Sequence, residues 1–275
     1  MKPFKSFLSP RLSEYVAYRK NLGYADKPLC SHLRTFDGYL FERKKEPAAL
    51  PPSFFLELRS GLPIESRSIN RVLSSVRMFF GFLVRCGDYE INPVKDIPLL
   101  PENEIIPFIF SQEQVDRLLS VICREIRKDP KCFLKDFSVY LAVLLLARCG
   151  MRISEPLRLR RQHYRPSEHT IYIQKTKFKK DRLIPVPKAV SAELQNYLQA
   201  RATVASNRNP YLLAGFKNGG INPERVRNVL RRAVETIGIN QQRSVIGRSN
   251  FSAPTVHSLR HSLSLIHISE PTRPY

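Results

Sequence analysis

Residues 255–262 read "TVHSLRHS", and the fold turns on what else in the chain belongs with their histidine and arginine, His257 and Arg260. Three positions apart on a helix, the two share a face whatever their purpose. Two upstream stretches stand beside them. "GMRISE" (150–155) sets Arg152 just past "FSVYLAVLLLARC" (137–149), a run apolar nearly all round that predicts a buried central helix, too short to cross a membrane and stopped by Gly150. "KTKFKKD" (175–181) lies between the β-type runs "HTIYIQ" (169–174) and "RLIPVP" (182–187), the pattern of a hairpin with a longer turn. Singly, these cations have ordinary readings: an arginine past a helix end complements its carbonyls, and a lysine in a turn is solvated. Their order along the chain is what makes them a candidate site.

Outward from that centre the periodicity is helical. In "RSINRVLSSVRMFFGFLVRCG" (67–87), Ile69, Val72, Leu73, Val76, Phe79, Phe80 and Leu83 draw one apolar face that Gly87 ends. Ser9 as an N-cap before Pro10, Pro28 before Leu29, Leu33, Phe36 and Leu40, and "PSFFLELRSG" (52–61) predict three more helices, hence a small bundle over residues 1–90. Pro93, Pro98, Pro101 and Pro107 then forbid a continuous helix and favour an extended, Pro-rich linker over 91–110. Ser111 with Gln114 reads as a capping box opening the second domain, and helices resume at "VSAELQNYLQARA" (190–202) and "NPERVRNVLRRAVETIG" (222–238), the latter capped by Asn222 and stopped by Gly238. The hairpin is the one clear piece of β structure, so the fold class is mainly α with a small β-hairpin.

Charge narrows the partner. Lys and Arg number 45 against 24 Asp and Glu, a net +21 that implies a polyanion. The basic residues are spread over several segments and form no single amphipathic stripe, which favours nucleic acid over a membrane surface. With both halves basic and a proline-rich strap between them, the expectation is a two-part clamp around double-stranded DNA. Arg225, Arg231 and Arg232 on the helix at 222–238 are expected at phosphates or a groove, a solvated face being the alternative. The N-terminus lacks the apolar core of a signal peptide and no window spans a bilayer, so the expected location is cytoplasmic, with no membrane partner. Cys30, Cys86, Cys123, Cys132 and Cys149 are odd in number with no CxxC pair, which favours buried free thiols over disulfides or a metal site.

"GMRISE", the hairpin "KTKFKKDRLIPVP" and "HSLRHS", in that order behind a helical bundle, resemble the tyrosine recombinase family, the phage-integrase-like recombinases of mobile elements, from the first helix to Ser262. The resemblance implies a SAM-like core-binding domain over 1–90 and an α+β catalytic domain over 111–262. It implies DNA recombination and integration by cutting and rejoining through a 3′-phosphotyrosyl intermediate, without metal or other cofactor. Arg152, Lys177, His257 and Arg260 match the catalytic positions, with Lys175 and Lys179 as neighbouring alternatives to Lys177 and as DNA contacts; Glu155 and His261 are supporting residues. The residue types suit the chemistry: two guanidinium forks grip non-bridging phosphate oxygens, a lysine protonates the leaving 5′ oxygen, and an imidazole manages a proton. The full-length parent is expected to work in a homotetrameric synapse.

After Ser262 the pattern departs from the family, which continues with a second histidine or tryptophan and then the nucleophilic tyrosine. "LSLIHISEPTR" (263–273) resembles instead a translated transposon-end adapter used to prepare sequencing libraries, so residues 263–275 are expected to be an adapter-derived tail on an incomplete catalytic domain. Tyr275, at the chain end behind Pro271 and Pro274, is rejected as nucleophile, and His267 as the second histidine. The chain as written is therefore expected to bind DNA but not cleave it. The competing readings are a non-catalytic DNA-binding protein on the same scaffold and an RNA-binding protein, for which no aromatic stacking motif or GxxG loop is present.

Overall fold

The computed structural model describes residues 3–43, 49–174, 181–204, 209–215 and 219–269. The chain divides into two compact units, Met1–Asn103 and Glu104–Tyr275.

The first unit holds α1 (Ser9–Asn21), α2 (Asp26–Arg43), α3 (Pro52–Gly61) and α4 (Ser66–Cys86). Every apolar position of the α4 stripe is buried, from Ile69 to Leu83, and Gly87 closes the helix in the left-handed conformation at φ 82°. Stacked and edge-on contacts join Phe36, Phe55, Phe79, Phe80 and Tyr89 into one aromatic core. Asp37, buried on α2, accepts the backbone N–H groups of Lys5 at 2.7 Å and Ser6 at 3.0 Å, which ties the entering chain to the bundle. Ser9 does not cap α1 as expected: it already lies in the helix and its hydroxyl donates to the Phe4 carbonyl.

The segment expected as a linker, 91–110, is divided between the units. Its prolines do exclude a helix, but Val94 and Ile97 are buried in the first core and Phe110 in the second. Arg77 donates to the carbonyls of Val94 and Ile97, and Asn70 pairs with both backbone groups of Leu100, so residues 94–100 are held by side chains in place of a ladder.

In the second unit α6 (Pro130–Cys149) is the central element, buried from Ser138 to Ala147 and touching α5 (Gln112–Arg124), α7 (Lys188–Val204), α8 (Pro223–Thr236) and α9 (Val256–Ser269). The capping box at Ser111 and Gln114 opens α5, and Asn222 caps α8. Gly150 ends α6 with φ 57°. Arg201 at the end of α7 is buried, and its guanidinium caps the carbonyls of Asn209, Tyr211 and Leu212. The expected hairpin forms from β3 (Thr170–Ile173) and β4 (Arg182–Pro185), with β2 (Tyr164–Arg165) completing an antiparallel sheet in the order β2-β3-β4. A second sheet was not expected: β1 (Glu104–Ile106) pairs parallel with β6 (Ser249–Phe251), which pairs antiparallel with β5 (Ser244–Ile246). Its strands are three residues long and lack in–out alternation, so no period-two signal marks them. Nor does α9 stop at Ser262: it runs on through the adapter-like stretch to Ser269, with Leu263 lying against Gly150.

Of the cysteines only Cys30 is fully buried, and Cys86 and Cys123 are exposed, which corrects the reading of all five as interior thiols; all five are free. Among the described residues no helix is long and apolar enough to cross a membrane. Phe80 lies fully buried amid four aromatic neighbours, so Phe80→Ala is expected to destabilise the first unit by about 3–5 kcal/mol, read from urea unfolding followed by circular dichroism.

Candidate functional site

The left-handed turn at Gly150 sends the chain off the end of α6 and, with Met151 buried as an anchor, presents Arg152 at the surface of the second unit. Glu155 folds back from the same turn and is buried, its side chain only 7% exposed. One oxygen, Oε2, accepts the Arg152 backbone N–H at 2.7 Å and Nη2 of Arg182 at 2.8 Å. The other, Oε1, accepts Nη1 of Arg152 at 3.2 Å. Arg260, from α9, donates Nη1 to the Gly150 carbonyl. The end of α6, the start of β4 and the first turns of α9 thus bring three guanidinium groups together around one carboxylate.

The charges feel one another. Burial lowers the Arg260 pKa, and the positive charges of Arg152 and Arg182 add to the effect while Glu155 opposes it. His257 lies one turn earlier on α9, partly open to solvent. Packing on its inner side is the first cause of a pKa below the usual 6.5, followed by the cations and imidazole around it, His261, Arg260, Arg227 and Arg152. Arg152, Glu155, His257 and Arg260 therefore lie in one neighbourhood, with exposed His261 beside His257. Lys175, Lys177 and Lys179 lie outside the described residues.

The α8 arginines divide. Arg225 is 2.5 Å from Asp136, which also holds Arg127 at 2.7 Å, on a cleft of about 730 Å³ that Arg232 helps to line. Burial works to raise the Asp136 pKa, and the hydrogen bonds from Arg127 and Arg225 outweigh it and lower it. Arg231 is exposed, 4.0 Å from Glu224. Two site arginines were not singled out from the sequence. Arg182 opens the quoted "RLIPVP", where the start of a strand after the hairpin turn was its only signal. Arg227, which pairs with Glu224 at 3.0 Å and faces His257 electrostatically, had none beyond its place on α8. Among the described residues no three His, Cys, Asp or Glu are grouped as metal ligands.

The helical scaffold with small sheets has counterparts among known proteins. Residues 109–270, more than half of the chain, match the model of the phage integrase family. The chain belongs to that family, the tyrosine recombinases. It is similar to the tyrosine recombinase XerA of Thermococcus kodakarensis, with 30% identity over 202 residues, 72% of this chain and 60% of that protein. A putative integrase/recombinase of Sinorhizobium fredii, y4rE, is 26% identical over 272 residues, 98% of this chain and 83% of the relative. In fold the chain resembles a lambda integrase dimer bound to a COC′ core site, with a TM-score of 0.68 at 13% identity over 96% of this chain and 90% of that one. It likewise resembles the XerH site-specific recombinase bound to a palindromic difH substrate, with a TM-score of 0.68 at 16% identity over 94% and 73% of the two chains.

His257 provides a test of the cluster's electrostatics. Its folded pKa lies below the unfolded value, so the folded chain takes up this proton less readily than the unfolded one. The stability contributed by the neutral ring is complete above pH 6.5 and is lost as pH falls through that value towards the folded midpoint. An NMR titration is expected to place the His257 midpoint below 6.5, and Arg227→Ala or Arg260→Met to move it upward.

Proposed function

We propose that this protein is a site-specific DNA recombinase that grips a backbone phosphate with Arg152 and Arg260. The observation that carries the reading is the meeting of these two arginines, from the end of α6 and from α9, with His257 on the same helix. Breaking a phosphodiester without a change of oxidation state is chiefly a matter of holding charge in place. Arg152 keeps only one guanidinium contact within the described residues, at 3.2 Å, and leaves the rest of its fork for phosphate oxygens. His257, held towards its neutral form, is suited to accept a hydrogen bond or a proton at the reacting phosphate. Lys177, on the hairpin loop, is assigned protonation of the leaving 5′ oxygen, with Glu155 and His261 in support. The wider DNA surface is assigned to Arg225, Arg231, Arg232, Lys175 and Lys179. The proposed domains are the bundle before the extended segment and the catalytic unit after it.

A tyrosine hydroxyl attacking the phosphate would conserve bond energy in a 3′-phosphotyrosyl link and free the 5′ hydroxyl. The only tyrosine after Arg260 is Tyr275, preceded by Pro271 and Pro274. The 275 residues are therefore assigned DNA binding without cleavage, the two prolines before Tyr275 disfavouring a helix that would hold its hydroxyl in line, and strand exchange is assigned to a multimeric synapse. One solved relative in fold is a lambda integrase tetramer bound to a Holliday junction.

Duplex DNA affinity is expected to fall steeply between low and physiological salt, measured by gel shift. Arg152→Lys and Arg260→Lys should each weaken binding, since a point charge does not replace the fork. Incubation with a nicked suicide substrate should give no covalent adduct on a denaturing gel. An adduct lost on Tyr275→Phe would overturn this assignment, and an affinity indifferent to salt would overturn the DNA reading itself.

A further inference from the structure

Arg182, which pairs with Glu155, lies outside the set of residues that the recombinase motifs assign. We propose that Arg182 is a positioning residue of the phosphate site, which by sharing Glu155 keeps Arg152 available to DNA. The inference rests on the reading that Arg152 grips a phosphate.

The carboxylate of Glu155 is nearly enclosed, and a buried charge draws in whatever cation is within reach. Two cations are present and they are not equivalent. Arg182 takes Oε2 with one N–H at 2.8 Å, alongside the Arg152 backbone N–H at 2.7 Å. The Arg152 guanidinium is left with Oε1, at 3.2 Å the longest of the three contacts, and finds no other acceptor among the described residues. It is 31% exposed and therefore reachable by a ligand. Arg182 thus occupies the oxygen that would otherwise complete a two-pronged Arg152–Glu155 pair. Without it, one carboxylate and one guanidinium are left to satisfy each other fully, and the fork turns inward from the phosphate.

The arrangement also sets the local charge. Arg152, Arg182 and Arg260 stand against the single carboxylate of Glu155, and losing Arg182 halves the excess of positive charge at the site. The backbone of Arg182 is fixed independently of its side chain. It pairs in register with Ile173 across β3 and β4, and next to that pair the Tyr172 hydroxyl donates to Asp181 at 2.6 Å. A substitution at 182 therefore removes the guanidinium and leaves the hairpin base in place. Because Arg182 uses a single N–H, lysine should serve in its stead, unlike at 152 or 260.

The test is a set of variants of the 275-residue chain, with affinity for a short mixed-sequence DNA duplex measured by fluorescence anisotropy at fixed low salt and urea unfolding run in parallel. Arg182→Met is expected to weaken binding roughly tenfold, and Arg182→Lys to restore it. In an Arg152→Met background, Arg182→Met should cost much less than in the unmodified chain, only the loss of its charge remaining. Should the Met variant fail to fold, Arg182→Thr, which suits a strand and is too short to reach Glu155, carries the same comparison. An equal loss in both backgrounds would mean that Arg182 touches DNA itself, and lowered stability with unchanged affinity would make it merely structural; either overturns the proposal. An affinity that does not respond to Arg152→Met overturns instead the phosphate reading on which it rests.

Discussion

The buried carboxylate of Glu155 is the constraint around which the second unit is arranged. Removing a carboxylate from water is costly, and the cost is offset only when close donors surround it. Here the donors come from two separate places in the chain, the turn after α6 and the start of β4. Glu155 therefore fixes the hairpin sheet against the end of the central helix, and the arginines beside it gain fixed positions. Arg260 arrives from α9 and is fixed differently, by the carbonyl of Gly150, an orphan acceptor at the end of α6. A helix end that must find a donor and an acid that must find cations are satisfied by the same cluster.

That cluster requires rigid support, and α6 provides it. A helix buried almost all round has no solvent face along which to slide, so α5, α7, α8 and α9 dock against it on several sides. Ser138, fully buried on α6, donates to the Tyr197 hydroxyl of α7 at 2.7 Å, and that hydroxyl accepts the Ala214 N–H at 3.0 Å. Ser262 of α9 accepts the Phe110 N–H at 2.8 Å while donating to its own helix. These few polar contacts fix the register of helices whose apolar surfaces alone would pack in more than one way.

Local features were legible in the sequence. The α4 stripe, the all-apolar α6, the Ser111–Gln114 box, the Asn222 cap and the stops at Gly87, Gly150 and Gly238 each depend on residues within a few positions of one another. The hairpin was legible for the same reason. The sheet of β1, β6 and β5 was not, because Glu104 pairs with Ser249 across most of the unit and three-residue strands leave no periodic trace. The prolines of 91–110 showed where a helix was impossible but not that Val94 and Ile97 would be buried. Arg152, Glu155, His257 and Arg260 were legible only as motifs in order. Arg182 and Arg227 were hidden because what they do is set by partners on other elements. Arg225 was placed on the right helix, and the structure gives it an acid, Asp136, that no spacing indicated.

The excess of cations has a further physical meaning. A net charge of +21 repels itself, and compaction brings those charges closer together. The fold answers this locally: Arg11 takes Glu14 and Asp88, Arg67 takes Glu102, and Arg127 and Arg225 share Asp136. Most of these pairs are exposed and weak, so they organise side chains more than they stabilise the chain. The remaining repulsion is spread over the surface, where salt screens it within about 10 Å at 0.1 M. Salt should therefore act on the molecule in two opposed senses, relieving the strain of the free chain while weakening its hold on a polyanion. Under the proposed function DNA answers both at once, since a phosphate backbone supplies the negative charges that the sequence leaves out.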